Sequence, residues 1–312
     1  MSKKTISAFE FIARFPDDVT ARNYIEQKRW NGKPCCPKCG AVERIQKRKV
    51  DGYYRCLECK FDFTVRTGTI FGRSHIPLHK WLFAIYLVVT ARKGISSMQL
   101  SKELGITQKS AWFMLQRIRS AFGGKDNDDD DPTGGLLSGI VEADETYIGG
   151  KETNKHNNKK LKAGRGTIGK IPVIGMKQRN GYVKAFVLAS TSATAIKDAV
   201  KSVVAPGSVL CTDEHASYKG MPEYTHMPVN HSAKQFVDGM AYTNSIESVW
   251  AILKRGFYGT HHWFSAKHLQ RYINEFTFRL NQGSTKFKTM DRVNSVLRSA
   301  CRHRVSYLKL VM

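Results

Sequence analysis

Two Cys-x-x-Cys pairs, Cys36/Cys39 and Cys56/Cys59, stand sixteen residues apart near the start of the chain. Each pair lets two thiolates reach one ion from a tight turn, and four soft sulfurs in a tetrahedron favour zinc. The spacing is that of a paired-knuckle zinc site, and Pro37 and Gly40 shape the first knuckle. Cys35 adjoins a ligand but is out of register, so it is read as a spectator. A closed four-sulfur site has no open coordination position, so this zinc holds structure and does no chemistry. In a module this small the metal supplies much of the folding energy. Four incidental buried cysteines are the alternative. Cys211 and Cys301 are isolated, and in a reducing compartment no disulfide framework is expected.

The balance of charge narrows the partner. Fifty Lys and Arg against 26 Asp and Glu give +24 over 312 residues. A solvated surface does not need that much of one sign, and a polyanion, DNA or RNA, is the simplest reason for it. A basic membrane-surface protein would want an anchor or an amphipathic basic helix. The longest apolar run, Trp81 to Ala91 broken only by Thr90, is too short to span a bilayer. The first residues hold no apolar core of signal-peptide length. The expected place is therefore the cytoplasm, associated with the nucleoid, with no membrane partner.

The chain is expected to divide into a zinc-ribbon module at 1–75, a helix-turn-helix-like segment at 76–122 and an acidic linker at 123–135. A catalytic domain at 136–283 and a basic C-terminal tail at 284–312 follow. The linker, GGKDNDDDDPTGG, reads as solvated chain; a metal site is its weaker reading, because consecutive like charges repel. After it come strand-like runs, a hairpin turning at Arg179-Asn180-Gly181, a helical segment, two more strands and two closing helices. That order predicts a mixed sheet covered by helices. Lys151 to Lys170 and the stretch from Ser284 each carry a net +6. They are read as segments flanking the domain's working face, suited to a nucleic-acid backbone. Lys159 and Lys160 are the candidate contacts in the first.

The segment QLSKELGITQKSAWFMLQRI resembles a helix-turn-helix. Leu100, Leu104, Ile106, Ala111 and Met114 fall where two helices pack, Ser101 is small at the close approach, and Gly105 opens the turn. The second helix, about Gln108 to Arg119, would offer Gln108, Lys109 and Ser110, with Gln116 a further candidate, to a DNA groove. A helical hairpin inside a scaffold is the alternative.

Three acids form the chemical constellation. Asp144 ends an apolar strand, Asp213 ends another, and Glu247 sits near a helix start. A carboxylate at a strand end lies at the sheet rim, where ligands bind. Three such donors can hold two hard cations, magnesium or in its place manganese. Two metals can activate a water or a 3′ hydroxyl and stabilise the leaving oxygen, which is the chemistry of cutting and joining phosphodiesters. Asp144 and Asp213 could instead be turn-formers. Asn244-x-x-Glu247 is also a helix-start pattern, with Asn as N-cap and Glu reaching back. Glu142, Glu145 and Glu214 are read as decoys; Glu145 and Glu214 each follow a proposed ligand and on a strand would face the other way.

Taken in order, CPKCG, YRCLECKFDFTVRTGTIF, VEADETYIGGKE, TDEHASYKG, NSIESVWAILKRG and HLQRYINEFTFRLN cover nearly the whole chain. They resemble the ISXO-type insertion-sequence transposases, the bacterial relatives of the Merlin transposases. The resemblance implies an α+β multi-domain protein: zinc ribbon, helical DNA-binding segment, then a ribonuclease-H-like mixed α/β catalytic domain. It implies a metal-dependent DDE site that cuts at element ends and joins the 3′ ends to target DNA. Carried over by motif, Asp144 is the first acid and Asp213 the second. For the third, some members have Asn where the wider superfamily has Glu. Both Asn244 and Glu247 occur here, and the interval of 33 residues after Asp213 favours Glu247. Lys254, seven residues on, resembles the basic residue such enzymes set against DNA. Holding two ends requires a homo-oligomer on double-stranded DNA. The rivals are a catalytically inert DNA-binding regulator and a zinc-ribbon nuclease that cuts without joining.

Overall fold

The computed structural model describes residues 5–123, 135–150, 152–161, 166–213, 215–229, 242–283, 287–302 and 304–311. Residues 124–134 of the acidic linker, parts of the basic segment 151–170, and Glu214 lie outside them. The chain forms two compact units, 1–130 with 283–312, and 131–282.

The first unit opens with α1 (Ala8–Arg14) and α2 (Asp18–Trp30). Ser7 and Glu10 close a reciprocal cap on α1, each side chain accepting the other's backbone N–H. The ribbon follows as an antiparallel meander of β1 (Ile45–Lys47), β2 (Tyr53–Cys56) and β3 (Asp62–Thr64). Strands this short bury little. The ribbon docks on α2 through Trp30, edge-on to Tyr54 and Phe63 at 5.3 and 5.9 Å, and through Arg29 Nη1, which donates to the Val65 carbonyl at 2.7 Å. The apolar run becomes α3 (Leu78–Thr90), whose Trp81, Leu82, Ile85, Val88 and Val89 are buried. A helix apolar nearly all round belongs inside a bundle. Then come α4 (Ser97–Leu104) and α5 (Gln108–Ser120).

The second unit holds β4 (Ile140–Ile148), β5 (Ile171–Gln178), β6 (Val183–Val187), α6 (Ala193–Val203), β7 (Val209–Thr212), β8 (Thr225–Pro228), α7 (Asn244–Gly256) and α8 (Leu269–Gln282). Its sheet runs β6-β5-β4-β7-β8, with β5 antiparallel to both neighbours and β4, β7 and β8 mutually parallel. In the unit's own count that is 3-2-1-4-5 with the second strand reversed, the expected ribonuclease-H-like sheet. Strand alternation sorts the two faces. Val141, Ala143, Ile174 and Met176 pack with Ile196 and Val200 of α6. Ile148, Val173, Val183 and Ala185 pack with Ile246, Trp250 and Leu253 of α7 and with Ile273 and Phe276 of α8. At about 1.5–3 kcal/mol for each large side chain fully buried, these two cores fix the strand register.

The segment from Ser284 is not a tail. It forms α9 (Thr289–Arg302) and α10 (Tyr307–Val311) and belongs to the first unit. Val293, Val296, Leu297 and Ala300 are buried as α9 packs on α3 and α2. That spacing is a helical apolar stripe; the seven basic residues from Ser284 on hid it. Arg292 Nη1 donates to the Val89 carbonyl at 3.1 Å, where the last turn of α3 has free acceptors. Among the described residues no helix is long and apolar enough to cross a membrane.

Candidate active site and zinc centre

The four cysteine sulfurs converge. All lie within 4.8 Å of one another, with Cys36–Cys59 and Cys39–Cys56 each at 3.6 Å. Zinc–sulfur bonds of about 2.3 Å in a tetrahedron set sulfurs about 3.8 Å apart, so the cradle fits the ion. Each knuckle ends in a left-handed residue, Gly40 at φ 79° and Lys60 at φ 58°. Cys35 is outside the cluster, its Sγ 3.4 Å from the Gly40 carbonyl.

Helices α4 and α5 form the expected pair. Ser96 and Thr107 cap them through their hydroxyls, and Gly105 turns between them at φ 59°. Leu100, Ser101, Leu104, Ala111 and Met114 are buried at the joint, and Ile106 is half-buried. Gln108 and Lys109 are exposed at the start of α5, and Ser110 is half-buried, its hydroxyl bonded to that of Thr107. Gln108 Nε2 donates to Ser97 Oγ at 2.8 Å. Gln116 is not available to a groove; it is fully buried, because the C-terminal half of α5 faces the unit's interior. There Arg117 donates to the carbonyls of Ile70 and Gly72.

The second unit assembles the acids at one end of its sheet. The parallel ladder pairs Glu142 with Cys211; continued by two residues, it sets Asp213 beside Asp144, both on one face. Glu145 joins them: one oxygen each from Asp144, Glu145 and Asp213 lie within 4.8 Å of one another. Alternation does put Glu145 on the α6 side, where Tyr218 Oη donates to it at 2.6 Å. But β7 ends at Thr212, so beyond Glu142 that edge of β4 is unpaired and both faces open onto it. Reading Glu145 as a bystander thus fails on proximity. Burial first, then the charges of Glu145 and Asp213, push the Asp144 carboxyl up to about 7. Burial likewise raises Glu145. Clustered oxygen donors that repel one another in this way suit a hard divalent cation.

Helix α7 is held to this edge by two links. Trp250 Nε1 donates to Asp144 Oδ2 at 3.0 Å. The indole reaches across because Gly175 lies opposite Asp144 on β5; a Cβ there would meet Trp250 Cη2 at 2.5 Å. The second link is Glu142, fully buried two residues before Asp144. Its Oε2 accepts the N–H groups of Ser245 and Ile246 at 2.9 and 3.1 Å, and its Oε1 accepts from Arg179 Nε at 3.2 Å. Arg179 also donates to the Tyr242 carbonyl at 3.3 Å and lies over the Tyr242 ring. A buried carboxylate stripped of such partners costs roughly 3–5 kcal/mol.

Asn244 is not the cap of α7. The N-cap is Thr243, which makes no side-chain cap bond, and Asn244 is the exposed first helical residue. Glu247 is exposed; its Oε1 accepts from the Thr243 hydroxyl at 3.1 Å, and it lies one turn before Trp250. It is outside the three-acid cluster. Lys254 is exposed two turns further along α7, and Lys159 and Lys160 are exposed at the end of a short 3-10 turn.

Two family models match this arrangement. The ISXO2-like transposase domain spans residues 136–281, and the transposase zinc-ribbon domain spans 16–61. The chain thus carries an ISXO2-like transposase domain behind a transposase zinc ribbon. The zinc-ribbon match contains all four clustered cysteines, and the transposase-domain match runs from just before β4 into α8. A curated relative is an uncharacterized protein in transposable element ISH50 of Halobacterium salinarum. It is 28% identical over 285 residues, covering 86% of this chain and 92% of its own length. Among solved structures, a Mos1 strand transfer complex aligns at 10% identity and TM-score 0.30, over 71% of this chain and 78% of that one. A pre-cleavage Mos1 transpososome aligns at 11% and TM-score 0.18, over 71% and 79%. Scores this low add nothing to the assignment, which stands on the family matches and the site.

Proposed function

We propose that this chain is a catalytically competent transposase, cutting DNA at the ends of its element and joining the 3′ ends to target DNA. The observation that carries this is the convergence of Asp144, Glu145 and Asp213 within 4.8 Å at the sheet edge to which α7 is bonded. Asp144 and Asp213 would hold the divalent cations, with Glu247 joining from α7 and Glu145 as a nearby fourth carboxylate. When bound, two such ions, magnesium in the cell, activate the attacking oxygen and stabilise the leaving one. The protein's own part is to fix the ligands. Tyr218 orients Glu145, the Trp250 indole orients Asp144, and the His215 N–H donates to Asp213 Oδ1 at 3.0 Å.

DNA is proposed to lie against exposed cations: Lys254 on α7, and Lys159 and Lys160 in the basic segment. Gln108, Lys109 and Ser110 on the first turn of α5 are the proposed groove readers for the element's terminal repeats. Pairing of two ends calls for a homo-oligomer on DNA, working at the nucleoid.

Asp144→Asn and Asp213→Asn separate binding from chemistry. Each variant should bind a labelled duplex carrying an element end as the parent does, and should fail to nick it with magnesium. Nicking within tenfold of the parent in either variant would show that the acids are misassigned.

A further inference from the structure

We infer that Glu142 is a positioning residue for the metal site, although its side chain faces away from solvent and from DNA. The inference rests on the two-metal reading above. The single carboxylate joins three things that are distant in sequence. It belongs to β4, two residues before Asp144 and on the same face. It receives the second and third backbone N–H groups of α7, more than a hundred residues later. It pairs with Arg179 at the end of the β5–β6 hairpin, and Arg179 in turn holds the Tyr242 carbonyl just ahead of α7.

The start of α7 would otherwise lack a local cap. Thr243 gives no side-chain cap bond, so the first turn's free N–H groups are met from the sheet instead. A cap supplied by the helix's own chain would stabilise α7 without saying where it lies. A cap supplied by β4 does both: it fixes the helix start at a set distance from Asp144. The fully buried charge also makes that placement stiff, since sliding α7 would strand a carboxylate without partners. Trp250 then reaches Asp144 little more than one turn along, over Gly175. Between these two fastenings lies Glu247. Glu142 thereby sets the register between the acids of β4 and the acid of α7, a role its burial hid when the sequence marked it as a decoy.

Terbium provides a readout independent of DNA cutting. It binds hard carboxylate sites, and Trp250, in contact with Asp144, sensitises its emission. In the full-length protein with its zinc in place, the site's signal is defined as the part lost in Asp144→Asn. Glu142→Gln keeps the shape and an acceptor but loses the charge that holds Arg179 and the helix start. It should raise the half-saturating terbium concentration by about tenfold or more, in the range found when groups that orient metal ligands are removed. Val200→Ala, in the α6 core on the other face of the sheet, supplies a variant weakened without touching this network. At matched folded fraction it should bind terbium as the parent does. If Glu142→Gln is too unstable to purify, Arg179→Lys takes its place and is read the same way. Parent-like terbium binding in Glu142→Gln, or an equal loss in Val200→Ala, would overturn the inference. An undiminished signal in Asp144→Asn would reject the metal reading itself, which is a separate result.

Discussion

Asp144 bears an electrostatic cost when it ionises in the folded protein. Its carboxyl is raised from 3.8 to about 7, by burial first and then by Glu145 and Asp213. In the unfolded chain it ionises at the ordinary value. Below that value both states hold the proton and folding loses nothing. Between there and about 7 the unfolded state has released a proton that the folded state keeps, so stability falls as pH rises. Above about 7 the full cost is present. Without added magnesium, Asp144→Asn should therefore melt higher than the parent at pH 8, by about 2–4 °C for each kcal/mol relieved. At pH 4 the two should melt nearly together. A variant that melts lower than the parent at pH 8 would refute this electrostatic account. The third ligand is decided at the same scale. Glu247→Gln should abolish strand transfer in a folded protein. Asn244→Ala should change neither rate nor melting temperature much, because Asn244 is exposed and caps nothing. If rates at matched folded fraction show Asn244→Ala to be the dead variant, the ligand lies three residues upstream.

At the scale of elements, the zinc ribbon is the part most dependent on its metal. Its strands have three or four residues each, too little area to fold without the ion. Cys56→Ser should release the zinc and unfold the ribbon. The melting of the second unit, whose two cores share no residue with it, should be unchanged. Zinc content and two-phase calorimetry test this. The elements also show what could be read from sequence. The paired knuckles, α4 and α5, the hairpin at Asn180 and the strand that stops beside Asp213 were all legible, whereas β4, expected to end at Asp144, runs on to Ile148. Each is set by local spacing or by a turn residue. What was not legible depended on long-range contact. Glu142 looked like a stray acid because its partners all come later in the chain, Arg179 more than thirty residues on and the start of α7 more than a hundred. Glu145 was placed correctly on its face, but nothing local said that β4 would run on past the end of β7 and leave that edge open. The stripe Val293, Val296, Leu297 and Ala300 was available in the sequence; weight given to net charge obscured it.

For the whole molecule, +24 is the dominant electrostatic fact. Each phosphate neutralised releases counterions, so log affinity for DNA should fall with log salt by about 0.9 per contact. Lys159→Ala and Lys160→Ala should weaken binding to all duplexes alike and flatten that slope. Substitutions at Gln108 and Lys109 should lower only the preference for element ends, and filter-binding titrations against end and random duplexes separate the two classes. If the α5 substitutions leave end preference intact, recognition lies elsewhere. Strand transfer, as well as cutting, by the acids at the β4 edge can be tested directly. Labelled element ends, a plasmid target and magnesium are incubated with the parent and with Asp144→Asn, and the products are sequenced. The parent should yield junctions joining the 3′ end of the element to plasmid sequence, and the variant none. Cut ends without junctions from the parent, or junctions from the variant, would contradict it.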